Sequence, residues 1–174
     1  ASTAPSESLA AARARCTVEV PDLQARYAAL EERGFHGPQF QTLERVWVSA
    51  DGTEALARLA VPASLAAERY HVHPAVLDGV FQLIGFVGEA APDKAWVPAG
   101  IRRAELNRSA SLLAPADSEA AGDEHQWMWA SARLAQSSAA TRALDMRVYA
   151  AATGGVGMAL DGFRYGVLAP QPPA

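Results

Sequence analysis

Residues 69–87 constrain this chain more than any other stretch. From Ala75 onward, Val76, Leu77, Val80, Phe81, Leu83, Ile84, Phe86 and Val87 leave no wide polar face at helical spacing. That is the pattern of a helix enclosed by a core, not of one lying on its surface. Pro74 stands at the first turn, where a missing N–H costs nothing. The segment therefore predicts a buried helix over 75–87. Two polar side chains interrupt it: Asp78 and Gln82 are one turn apart and share a side of the helix. A carboxylate among apolar neighbours is costly unless it is paired or protonated. Asp78 is thus either satisfied by backbone N–H groups near the start of its helix, where the dipole favours negative charge, or held at a raised pKa for use.

The rest of the chain supplies strands to surround such a helix. Residues 1–13 are small and polar and read as a linker or frayed end. Residues 15–20 make a first strand with Cys16, Val18 and Val20 on one face. A helix follows, with Asp22 as its N-cap, Leu23, Tyr27 and Leu30 as its apolar stripe, and Gly34 as its end. Residues 40–50 and 55–61 read as strands joined at Asp51-Gly52, a strong hairpin signal. Beyond the central helix come a strand over 96–106 and a polar insertion over 114–125. Alternating strands then run over 126–134 and 142–150. The last strand covers 156–168, with a bulge expected at Asp161-Gly162. The pattern alone supports an α+β class.

Composition narrows the function classes. A net charge of -4 in 174 residues gives no basic footprint for nucleic acid. No apolar run approaches the length that spans a membrane, and the N-terminus lacks the features of a secretory signal. The single cysteine, Cys16, excludes an internal disulfide and fits a reducing, cytoplasmic setting; it reads as a small buried hydrophobe. His71, His73 and His125 lack a cysteine or acidic partner at ligand spacing, so no metal is expected. Trp127 and Trp129 share a face and read as sheet packing. Arg102, Arg103 and Arg108 form a small basic cluster, either a solvated strand edge or a docking point for an acidic protein.

Two stretches carry a resemblance. His73-Pro74-Ala75-Val76-Leu77-Asp78-Gly79-Val80-Phe81-Gln82 resembles the H-P-x-x-x-D-x-x-x-Q/H motif of the second hotdog in polyketide synthase dehydratase domains. Gly34-Phe35-His36-Gly37-Pro38-Gln39-Phe40 resembles that family's G-x-x-Y-G-P-x-F signature. The likeness runs from about Arg15 to Leu168. It implies a hotdog fold, in which a long buried central helix is wrapped by a curved antiparallel β-sheet. The hotdog domain would cover residues 14–170, after a linker over 1–13 and before a tail over 171–174.

The resemblance also implies a reaction: removal of water from a 3-hydroxyacyl thioester carried on the phosphopantetheine of an acyl carrier protein, with no further cofactor. Asp78 is then the acid on the β-hydroxyl group, a task for which a poor leaving group needs a proton donor within hydrogen-bond reach. Gln82 would orient Asp78 or bind the hydroxyl. His36, Gly37 and Pro38 would line the substrate channel. His73, just before a proline and so pushed out of helical geometry, would brace the approach to the helix and border the site. His71 is a rim residue or solvated.

The chain departs from the family pattern in two places. His36 stands where the signature has tyrosine, in a segment one residue short. The family's basic histidine, in H-x-x-x-G-x-x-x-x-P, has no counterpart at His36, His71, His73 or His125. The expectation is therefore a C-terminal dehydratase half, inactive alone, that works with an N-terminal hotdog carrying the histidine and with an acyl carrier protein. Three other readings keep the fold: a cyclase, pyran synthase or double-bond isomerase; a single-hotdog thioesterase with Asp78 activating water; and a non-catalytic structural hotdog.

Overall fold

The computed structural model describes residues 7–32, 38–62, 70–89, 94–113 and 125–168. In chain order these hold α1 (Leu9–Arg15), β1 (Cys16–Glu19), α2 (Leu23–Glu32), a 3-10 turn (Pro38–Phe40), β2 (Leu43–Ser49) and β3 (Glu54–Pro62). Then come α3 (Pro74–Phe81), a second 3-10 segment (Gln82–Phe86), β4 (Trp96–Gly100), β5 (Arg103–Leu106), β6 (His125–Ser137), β7 (Thr141–Tyr149) and β8 (Val156–Val167). Among the described residues, eight strands form one sheet in the order β1-β2-β3-β6-β7-β8-β4, with β5 also paired to β8. Every pairing is antiparallel.

Local chemistry sets the turns and bends of this sheet. At the expected Asp51-Gly52 hairpin, the Asp51 carboxylate accepts from Ser49 Oγ at 2.6 Å, Thr53 N at 3.1 Å and Thr53 Oγ1 at 2.9 Å, while Gly52 takes φ +69. The bulge expected at Asp161-Gly162 is present. Leu144 faces Phe163 and Met146 faces Leu160, so two β8 residues oppose the one between them on β7. Gly162 has φ +60, its N–H donates to Asp145 at 2.8 Å, and a Cβ there would lie 3.1 Å from Arg102 Cβ. The same irregularity divides the strand expected over 96–106 into two. β4 pairs with residues 164–167 of β8, and β5 pairs with residues 158–161.

The central helix lies in the core, as its sequence requires. Val76, Val80, Leu83 and Ile84 are buried with Val46, Leu59, Met128, Leu144, Val148 and Leu160. Each fully buried aliphatic side chain contributes about 1.5–3 kcal/mol. Gly79 is the point of closest approach: a Cβ there would stand 2.1 Å from Thr42 Oγ1 and 2.8 Å from Leu59 Cδ2. The segment is helical across the expected span but is not one α-helix. The Gln82 N–H is shared between the Asp78 and Val80 carbonyls, and from Gln82 the backbone tightens into a 3-10 turn. The chain leaves through extended Val87 and Gly88 at φ +76. Buried Arg142 holds this exit, donating to the Val87 carbonyl at 2.9 Å and the Glu89 carbonyl at 2.5 Å, with its guanidinium 4.6 Å from the Trp96 ring centre.

Residues 9–13 are not the linker their small side chains suggest. They belong to α1, whose Ser8 side chain caps Ala11 N at 3.2 Å and whose Ala12 is buried with Cys16, Leu56 and Tyr149 on a second apolar cluster. Arg15 ties its end down through Glu7 and Glu54, at 2.5 and 2.6 Å. An alanine-rich run is a strong helix former, and here it has an apolar surface to pack on. Trp47 and Trp129 stack at 5.5 Å beside this cluster, and the Arg58 guanidinium lies 4.5 Å over the Trp127 ring. The tryptophans therefore pack the sheet, as expected. Cys16 is buried, and burial pushes its thiol up to about 11.

Candidate active site

The approach to the helix is fixed by His73. It takes extended geometry (φ -64, ψ 137) as the N-cap of α3, and its Nδ1 accepts from Ala75 N at 3.1 Å. In a neutral ring the proton then sits on Nε2. Tyr70 meets the ring edge-on at 5.2 Å. Capping by His73, with Pro74 at the first helical position, sets where the helix begins and hence which way Asp78 faces.

Asp78 and Gln82 are both half-buried. Gln82 Nε2 donates to Asp78 Oδ2 at 2.8 Å and to the Phe40 carbonyl at 2.9 Å. Gln82 Oε1 accepts from the Tyr27 hydroxyl at 2.9 Å, and that hydroxyl oxygen accepts from Leu43 N at 3.1 Å. A backbone carbonyl can only accept, so the nitrogen of the amide must face Phe40 and the oxygen must face Tyr27. The network joins the central helix to α2, to the Pro38–Phe40 turn and to the start of β2. It thereby brings Phe40, the end of the Gly-Pro-x-Phe stretch, to the Asp78–Gln82 pair. His36 and Gly37 lie outside the described residues.

Two buried phenols flank Asp78. Tyr27 is 4% exposed and Tyr165 is 1% exposed. Burial pushes both phenols above the usual tyrosine range, and an ionised Asp78 raises them further. Both stay protonated and act as donors. The Tyr165 hydroxyl donates to the Phe81 carbonyl at 2.8 Å, and Phe163 stacks on Phe81 at 4.5 Å. Neither phenol stands out in the sequence as a site residue. Tyr27 reads there as part of an apolar stripe, and the one available signal is that a buried tyrosine hydroxyl needs a partner. His71 is exposed. Arg103 pairs with Glu105, which takes one charge out of the basic cluster. A crevice of about 540 Å³ among Glu19, Asp22, Leu23, Gln24, Glu44 and Arg45 does not include Asp78. Among the described residues no group of acidic, histidine and cysteine side chains is placed to hold a metal, and no helix is long and apolar enough to cross a membrane.

A family model described as "Polyketide synthase dehydratase N-terminal domain" matches residues 4–174. The chain belongs to the polyketide synthase dehydratase family. Among curated relatives, the phenolphthiocerol synthesis polyketide synthase type I Pks15/1 of Mycobacterium marinum is 37% identical over 76 residues, covering 43% of this chain and 4% of that synthase. Two solved structures of the CurK dehydratase superpose on nearly all of this family member. They are described as inactive mutants, one histidine-to-phenylalanine and one aspartate-to-asparagine. Both have TM-score 0.69, with 22% and 21% identity, and they cover 97% and 98% of this chain. The likeness shows the hotdog fold of these dehydratases. The chain spans 54% and 56% of those two structures, about half of each.

Proposed function

We propose that this family member is the C-terminal hotdog half of a dehydratase acting on 3-hydroxyacyl thioesters in a polyketide synthase, with Asp78 as the general acid. The observation that carries the reading is the Asp78–Gln82 pair, with the amide nitrogen of Gln82 on Oδ2 and the amide itself held by Phe40 and Tyr27. The assignment to the second hotdog, although the family description speaks of an N-terminal domain, is supported by the motif at residues 73–82. The basic histidine would come from an N-terminal hotdog outside residues 1–174. The two inactive CurK mutants support a reaction that needs one histidine and one aspartate in that enzyme.

The chemistry follows from the pair. The base takes the proton from the carbon next to the thioester carbonyl. The electron pair forms the carbon–carbon double bond, and the bond from the β-carbon to its hydroxyl oxygen breaks. Asp78, whose Oδ2 receives the Gln82 N–H, carries the acid's proton. That proton goes to the departing oxygen, which leaves as water. Asp78 becomes a carboxylate as this happens, and the Gln82 N–H strengthens as its acceptor charges. An interaction that is stronger in the transition state than in the ground state lowers the barrier. The substrate would ride on the phosphopantetheine of an acyl carrier protein, in the cytoplasm, with no other cofactor.

The test is complementation. Dehydration of a 3-hydroxyacyl thioester, followed as loss of water by mass spectrometry, should be absent with the 174-residue chain alone and appear when the N-terminal hotdog is added. Turnover by the chain alone, or no turnover from the two folded halves together, contradicts the proposal.

A further inference from the structure

Tyr27 lies outside both sequence signatures, yet it closes the network that ends on Asp78. Its side chain is buried, and its hydroxyl oxygen already accepts the Leu43 N–H at 3.1 Å. The hydroxyl proton is thereby directed to Gln82 Oε1 at 2.9 Å. Both hydrogens of Gln82 Nε2 are in turn committed, one to Asp78 Oδ2 and one to the Phe40 carbonyl. Rotating the amide by half a turn would set its oxygen against two acceptors, the Phe40 carbonyl and the Asp78 carboxyl. It would also set its nitrogen against a hydroxyl that already receives an N–H. Hydrogen bonds in such a chain polarise one another, so donation into Oε1 strengthens donation from Nε2.

We propose that Tyr27 is a positioning residue of the dehydration: it acts through Gln82, fixing the amide that aims Asp78 and receives its charge. The inference rests on the dehydratase reading and adds to it a residue on α2, an element that carries neither signature. Tyr27 does not touch the reacting atoms. Its hydroxyl is a donor throughout the working pH range, because burial keeps the phenol protonated. Removing that hydroxyl takes the Tyr27 donor away from Oε1 and loosens the amide. The acid then spends part of its time misdirected, which lowers the rate of the chemical step while leaving thioester binding in place.

The experiment uses the complete dehydratase with both halves and a 3-hydroxyacyl thioester, and compares Tyr27→Phe, Gln82→Leu, the double variant and Asp78→Asn. Tyr27→Phe is expected to lower kcat on the order of 10-fold, short of the ~10²-fold that a misplacement of about 1 Å can cost, with KM unchanged. In the Gln82→Leu background the same substitution is expected to lower kcat no further, since the amide it acts through is gone. A purely structural tyrosine would cost activity equally in both backgrounds, because the Leu43 N–H loses its acceptor in either. A second readout needs no turnover: the Gln82 side-chain amide proton resonances should move toward those of a free amide in Tyr27→Phe. An unchanged kcat, an additive loss in the double variant, or unmoved amide resonances overturns the inference. Failure of the underlying reading is distinguishable. A fully active Asp78→Asn enzyme overturns the acid assignment and this inference with it. An inactive Asp78→Asn enzyme with an unaffected Tyr27→Phe overturns this inference alone.

Discussion

Gly79→Ala sets two effects against each other next to Asp78. In an exposed helix, alanine in place of glycine stabilises by about 0.5–1 kcal/mol through backbone entropy. Here the added methyl would stand 2.1 Å from Thr42 Oγ1 and 2.8 Å from Leu59 Cδ2, both below any real contact distance. Thr42 is 3% exposed and Leu59 fully buried, so neither can move aside into solvent. Overpacking of this kind costs about 1–3 kcal/mol and sometimes more. The net expectation is a loss of about 1–2 kcal/mol, or roughly 2–8 °C in Tm for a chain of this size, read as a lower urea midpoint at unchanged slope. Thr42→Ala removes the atom of the worst clash. Among the described residues the buried Thr42 hydroxyl has no hydrogen-bond partner, so its removal is near neutral alone. In the double variant it should recover part of the loss. Gly79→Ala as stable as the parent, or more stable, would refute the packing argument.

Three further outcomes follow from the same geometry. Arg142→Met keeps the aliphatic stem but leaves the Val87 and Glu89 carbonyls without their donor, so it should cost about 1–3 kcal/mol, checked by urea denaturation. Cys16, buried and with its thiol pushed up to about 11, should react with iodoacetamide at pH 8 about 100-fold more slowly in the folded chain than in urea. Asp51 is held down at about 2, first by Ser49 and then by Thr53. A depressed carboxyl gives stability that is present above its unfolded value and lost as pH falls through the folded one. Below about pH 4 the parent should therefore lose stability toward Asp51→Ala, the gap closing near pH 2; a gap that persists below pH 2 contradicts the assignment.

The parts of the molecule legible in the sequence are those set by local period and turn chemistry. The all-round apolarity of Val76 to Val87 marked the central helix, and the one-turn spacing of Asp78 and Gln82 marked a pair that the structure does hydrogen-bond. Asp51-Gly52 and Asp161-Gly162 announced a turn and a bulge because only glycine takes their backbone angles freely. Contacts distant in sequence were not legible. Tyr27 meets Gln82 across 55 residues, and nothing in its helix distinguishes it from any other aromatic of an apolar stripe. Residues 9–13 read as a linker because their composition is small. What makes them helix is a surface formed by Cys16, Leu56 and Tyr149, whose assembly depends on the whole sheet.

Asp78 is proposed as the acid of the reaction and not as a carboxylate kept for the fold. Asp78→Asn in the complete dehydratase preserves size and polarity while removing the titrating proton. General acid catalysis is worth about 10²–10⁴-fold in rate. Turnover of the 3-hydroxyacyl thioester and the melting temperature are to be measured on the same preparation. The expected result is a loss of turnover of at least about 10²-fold at an unchanged Tm, since an amide oxygen in the same place still accepts the Gln82 N–H. A lower Tm with turnover per folded molecule intact would contradict it, and would make Asp78 a structural carboxylate.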